Sequence, residues 1–156
     1  MMHVSSSIVR TAGPQDAEAV MALCERLHAE NGLFVMSPEK VAAKVLGILR
    51  KDIPGIVGII GTPEHLEGII ILEVASMWYT DEQHLEELIN YVPPEHRKTA
   101  HAKSLIEFAK VCGDETGLPL LIGVQSTERM EAKVRLYRRQ LPKLGEFFMY
   151  PMKEAS

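Results

Sequence analysis

The chain has 156 residues, enough for one domain with a proper apolar core. Its 17 Lys and Arg against 21 Asp and Glu leave a formal net charge of −4, so no overall basic field directs it to nucleic acid or to an anionic membrane. No stretch approaches the roughly 20 apolar residues of a membrane span, and the two cysteines, Cys24 and Cys112, fall on apolar helical faces, as buried thiols of a reducing compartment do.

Residues 1–7 have no apolar core, which speaks against a signal peptide and for a loose terminus of a cytoplasmic protein. Residues 8–10 form a short strand candidate. Pro14 then occupies a plausible first helical position, and Ala17, Val20, Met21, Cys24, Leu27 and His28 mark one face of a helix with a stop signal at Asn31-Gly32. Ser37-Pro38-Glu39 is a second start, an N-cap serine with proline at N1, and Val41, Val45, Ile48 and Leu49 give the buried stripe behind it. Residues 55–61 are a short β-branched run. Residues 66–79 hold the near-continuous apolar run of a strand buried on both faces, and residues 84–92 are a third strand after a polar turn.

Pro93 and Pro94 end that strand, and a basic turn leads directly into a helical face of Ala102, Leu105, Ile106, Ala109 and Cys112. Strand, tight turn and amphipathic helix place backbone N–H groups and a positive helix end at the tip of a sheet, where a polyphosphate binds without a Walker lysine. Residues 120–125 are a further strand, parallel to the one before the turn because a helix intervenes. Residues 131–139 then read as a helix and residues 146–150 as a short last strand.

The segment Val92-Pro93-Pro94-Glu95-His96-Arg97-Lys98-Thr99-Ala100-His101-Ala102 resembles the acetyl-CoA pyrophosphate loop of the GNAT (GCN5-related) N-acetyltransferases, Val-x-Pro-Glu-x-Arg leading into [Gln/Arg]-x-x-Gly-x-[Gly/Ala]. Ala100 stands where that pattern has its first glycine. The element order β-α-α-β-β-β-α-β-α-β extends the resemblance over nearly the whole chain and implies an α/β fold with a mixed sheet, a splayed parallel strand pair and a single domain. It further implies acetyl-CoA as cofactor, held by Tyr91, Val92, Arg97, Lys98, Thr99, Ala100, His101, Ala102 and Lys103, and an amine acceptor, a small molecule or a peptide or protein. Two departures are clear. One strand follows the last helix where the family has a hairpin, and Tyr137-Arg138-Arg139-Gln140-Leu141 replaces the family's Tyr-x-x-x-Gly-Phe ending.

Two residues are candidates for chemistry. Tyr137 matches the family tyrosine that faces the cofactor sulfur, where a neutral phenol can protonate the leaving thiolate. Glu87, ten residues before Arg97, stands where some members carry a general base, and its rival reading is one of an acidic strand face with Glu82 and Glu86. His96 and His101, five apart without a cysteine or carboxylate at ligand spacing, read as phosphate contacts or exposed side chains, so no metal is expected. Lys133, Arg135, Arg138, Arg139 and Lys143 read as a solvated basic helix face, with contact to a cofactor phosphate or an acidic partner as the alternative. The acceptor side, with Glu30, Phe34, Trp78 and Tyr79, suits small amines and peptide N-termini equally. A homodimer is expected, because it would cover the short terminal strand. The alternative function is a module of the same fold that holds an acyl-CoA without turnover. A doubly wound nucleotide-binding fold is disfavoured, since three consecutive strands lack crossover helices.

Overall fold

Ile69, Ile70, Ile71 and Leu72 are all fully buried in the computed structural model, which describes residues 8–125 and 130–153. A strand apolar on both sides must be covered on both faces, and the architecture follows from that need. The strand containing them, β3 (His65–Ser76), is central in a five-stranded sheet ordered β1 (Val9–Thr11), β2 (Gly55–Thr62), β3, β4 (Gln83–Tyr91), β5 (Leu120–Leu121). Ile69 and Ile71 join the core built by Val20, Leu23 and Cys24 of α1 (Ala17–Asn31) and Val45, Ile48 and Leu49 of α2 (Pro38–Leu49). Ile70 and Leu72 point the other way, to Leu105, Ala109 and Cys112 of α3 (His101–Thr116). Each such isoleucine is worth about 1.5–3 kcal/mol in burial alone.

The helix starts follow their local chemistry. Ser37 Oγ accepts from Lys40 N–H at the head of α2, with Pro38 at the first helical position. A 3-10 turn at Pro14–Asp16 precedes α1, and Asp16, fully buried, accepts from Gly13 N–H at 3.0 Å and from both terminal nitrogens of Arg10 at 2.9 and 3.2 Å. The paired guanidinium holds the Asp16 carboxyl below its ordinary value and pins β1 to the start of α1. Gly32 ends α1 in extended rather than left-handed backbone, at φ −64°. It is needed for a different reason than the stop signal suggests: a Cβ there would lie 2.5 Å from the His28 carbonyl oxygen.

All strand pairs are antiparallel except β4 with β5, which is parallel and limited to Leu85 opposite Leu120 and Glu86 opposite Leu121. Beyond that point the two strands part. The cause lies in β4: Ile89 pairs with Ile71 but Glu87 pairs with Leu72, so Leu88 is an extra residue in the ladder. Such a bulge bends its strand and sharpens the local twist. The outer half of β4 swings away, and residues 122–125 have no strand left to pair with. The strand expected over residues 120–125 is therefore only Leu120–Leu121.

The helix expected over residues 131–139 is α4 (Met130–Gln140). The strand expected over residues 146–150 is absent: that segment has no regular structure, with Phe147 and Phe148 each 90% exposed and Tyr150 98%. The edge strand β5 is two residues long and offers no ladder to extend. The sheet edge that motivated a homodimer is thus not formed by this segment. Residues 1–7, expected as a loose terminus, lie outside the described residues. Among the described residues no helix is long and apolar enough to cross a membrane.

Candidate functional site

The parting of β4 and β5 is a place where the interior opens, and it is built from four elements. Pro93 and Pro94 stop β4 as expected. A 3-10 turn at Pro94–His96 follows, then Arg97 to Ala100, then α3. Thr99 Oγ1 ties the turn together, donating to the His96 carbonyl at 2.6 Å and accepting from His101 N–H at 3.2 Å. Ala100 is the N-cap residue of α3 and has no side chain with which to cap the first turn. Its backbone, φ −86° and ψ 11°, is one that alanine adopts without strain. The absence of glycine at this position therefore forces no left-handed backbone.

A cavity of about 100 Å³ opens at this helix start, lined by Tyr91, Val92, His96, Arg97, Thr99 and Ala102 on one side and by Ala132, Lys133, Leu136 and Tyr137 of α4 on the other. A second cavity, about 340 Å³, lies between Glu87 to Asn90 of β4, residues 123–125 after β5, and Lys133 and Tyr137. The two adjoin at Asn90, Lys133 and Tyr137, which line both, and the pair forms the groove region between the head of α3 and the middle of β4.

Tyr137 lines both cavities. Its hydroxyl accepts from Asn90 Nδ2 at 2.9 Å, which leaves the phenolic proton to be donated elsewhere. Burial, then the neighbouring Glu87, raises its pKa above the ordinary tyrosine value, so it stays neutral at all physiological pH. Glu87 lies in the second cavity. Burial pushes its carboxyl up to about 7, against the pull of Lys133 and a hydrogen bond from the Gly123 backbone. Its Oε2 is shielded from solvent and has no hydrogen-bond partner. A carboxylate half ionised at neutral pH, with an open lone pair in a groove, can accept a proton.

The remaining candidates divide. Arg97 lines the groove, but its Nε donates to the Val92 carbonyl at 2.9 Å and its terminal nitrogen pairs with Glu30 of α1. Tyr91 is buried, lies 5.8 Å below the Arg97 guanidinium, and donates its hydroxyl proton to Glu30 Oε2 at 2.7 Å. These three form a brace under the turn. His101 bonds Glu67 at 3.0 Å, Lys103 pairs with Glu107 at 3.8 Å, and Lys98 is exposed; Lys98, Ala100, His101 and Lys103 do not line the groove. Phe34, Trp78 and Tyr79 are exposed and stand apart from it. Burial raises the Cys24 thiol to about 12 and the Cys112 thiol to about 11, so neither is a nucleophile at neutral pH.

Two groove residues escape a reading of periodicity. Asn90 is a buried amide inside the apolar run Leu88 to Val92, and that polar interruption was the available signal. Lys133, counted with a solvated basic face, reaches the Asn90 carbonyl at 3.4 Å.

Neither a protein-family model nor a curated protein sequence matches the chain. Solved structures do. A GCN5-related N-acetyltransferase from Ralstonia eutropha JMP134 superposes with a TM-score of 0.71 at 17% identity, covering 92% of this chain and 96% of that one. A predicted acetyltransferase with acetyl-CoA from Clostridium acetobutylicum gives 0.72 at 11% identity, over 90% and 93% of the two chains. The ribosomal-protein-alanine N-acetyltransferase of Brucella melitensis biovar Abortus 2308 gives 0.66 at 15%, over 94% and 99%. At these identities the likeness is one of backbone: this chain has the GNAT fold, that of the GCN5-related N-acetyltransferases.

Proposed function

We propose that the chain is an N-acetyltransferase that moves an acetyl group from acetyl-CoA directly to an amine. The observation that carries this reading is the placement of Glu87 and Tyr137 on one cavity, with Tyr137 also lining the adjoining cavity at the start of α3. The donor set fits the cofactor. The first-turn amides of α3 offer donors and positive potential to a pyrophosphate, the small side chain of Ala102 lets the backbone approach it, and the shared stretch at Asn90 leads inward to the two titratable groups.

Acetyl-CoA supplies the acetyl group as a thioester. Within the groove Glu87 accepts a proton from the amine nitrogen as that nitrogen bonds to the acetyl carbon. Tyr137 donates its phenolic proton to the sulfur as the carbon–sulfur bond breaks, and regains one from solvent. Asn90 donates to the phenol oxygen, which leaves the phenolic proton free to be given to the sulfur. The acceptor belongs to the class of small amines or exposed peptide N-termini.

Acetyl-CoA should raise the melting temperature, and a panel of amines and peptides should give acceptor-dependent thiol release. Binding of acetyl-CoA with no thiol release for any acceptor would favour a module that holds the cofactor without turnover. No thermal shift with acetyl-CoA would overturn the proposal.

A further inference from the structure

Glu67, His96 and His101 meet beside the turn although they come from three places in the chain. Glu67 lies near the start of β3, His96 closes the 3-10 turn and His101 opens α3. Glu67 Oε1 is 3.3 Å from His96 Nδ1 and 3.0 Å from His101 Nε2, and one potential ligand atom from each of the three falls within 4.8 Å of the others. Ligand atoms about 2.0–2.1 Å from a tetrahedral zinc ion stand about 3.3 Å from one another. Two of the three separations, 3.3 and 3.0 Å, already stand near that spacing, and the third pair lies within 4.8 Å. His65, two residues before Glu67, places its Nε2 3.1 Å from His96 Nε2. With His96 Nδ1 given to a metal, its Nε2 carries the ring proton and donates it to His65, the outer contact that orients a metal-bound imidazole.

We propose that Glu67, His96 and His101 bind a divalent transition-metal ion of the zinc class, with His65 as the positioning residue behind His96. Two histidines and one carboxylate suit zinc, and three protein ligands leave a fourth position to water. The ion ties the start of β3 to the turn and to the first residue of α3, and so fixes the loop from both ends. Sequence spacing conceals the site because its carboxylate precedes His96 by 29 residues and becomes a neighbour only when β3 and β4 pair. The proposal is independent of acyl transfer, since the probe is the metal alone and no acetyl-CoA is present.

Untagged protein stripped with a chelator is titrated with Zn²⁺, and separately with Co²⁺. One equivalent should bind, and Zn²⁺ at about one hundred times its dissociation constant should raise the melting temperature by roughly 5–10 °C, reversed by chelator. Nuclear magnetic resonance of the wild type should show the ring signals of His96 and His101 perturbed by Co²⁺. Glu67→Gln should weaken Zn²⁺ binding by more than about 100-fold, and His65→Phe by about 10–100-fold. Absence of saturable binding, or perturbation confined to other histidines, would overturn the proposal and leave histidine–carboxylate hydrogen bonds in its place. So would a folded Glu67→Gln protein that binds Zn²⁺ as wild type does. The resonance experiment uses no variant, so it decides the matter even where a substitution disturbs folding.

Discussion

Glu87 is the residue with the most to lose from its place in the fold. Its carboxyl, ordinarily near 4.5, titrates at about 7 because burial penalises the charge. Between those values the folded protein keeps a proton that the unfolded chain releases. Stability therefore falls as pH rises from about 4.5 to 7 and stays lower above it, by at most about 3 kcal/mol. Glu87→Gln should remove that slope, melting higher than wild type at pH 8 and close to it at pH 4; equal slopes in the two proteins would show that the carboxyl is not held protonated. In activity the same change should abolish the rise of kcat/KM centred near pH 7, because the base is gone. Tyr137→Phe separates the acid from the base. The ring and its packing remain, so acetyl-CoA affinity should hold while kcat falls by about 10²–10⁴-fold. Full kcat in that variant would remove the phenol from the mechanism.

At the scale of elements, the head of α3 shows how far sequence carries and where it stops. Pro93, Pro94 and the stripe from Ala102 to Cys112 announce strand end and helix start, and both form where local chemistry puts them. The consequence of Ala100 was not legible, because glycine motifs imply positive φ and only coordinates show that this backbone turns at φ −86°. The role of Arg97 was equally hidden: its partner Glu30 comes from α1, far off in sequence. These points separate three substitutions. Ala100→Gly should change acetyl-CoA affinity by less than about threefold, since no left-handed backbone is being forced. Ala102→Leu places bulk in the cavity at the helix start and should weaken binding by about 5–150-fold, the equivalent of 1–3 kcal/mol of overpacking. Arg97→Ala, which breaks the brace to Glu30 and removes a lining side chain without adding bulk, should weaken it less than Ala102→Leu does. Calorimetric titration with acetyl-CoA orders the three, and wild-type binding by Ala102→Leu would move the pyrophosphate away from this turn.

For the whole molecule, alternation and periodicity convey the sheet and the helices that cover its two faces, because burial acts on every residue of those segments. They say less where one wall of the groove hangs on few contacts. The extra residue Leu88 that parts β4 from β5 has no signature in an apolar run, and residues 146–150 look like a strand but find no edge to join. The fourth helix, α4, is amphipathic in sequence, yet none of its residues is fully buried. It is tied to β4 at Asn90, through Tyr137 at 2.9 Å and Lys133 at 3.4 Å. An element held so lightly opens at lower free energy than the core does. Lys133, Arg135, Arg138 and Arg139 on α4 are all cleavage points for trypsin, so brief digestion of the free protein, beyond cuts at Lys143 and Lys153 in the exposed irregular tail, should cut α4 before α2 or α3. A ligand lying between β4 and α4 binds only the closed form and should slow those cuts by about 100-fold at one hundred times its dissociation constant. Cleavage within α2 or α3, which are anchored in the two cores, should stay slow with or without it. Unchanged cutting of α4 in the presence of saturating acetyl-CoA would mean that the ligand does not use this wall, and with it Tyr137 would lose its place beside the thioester.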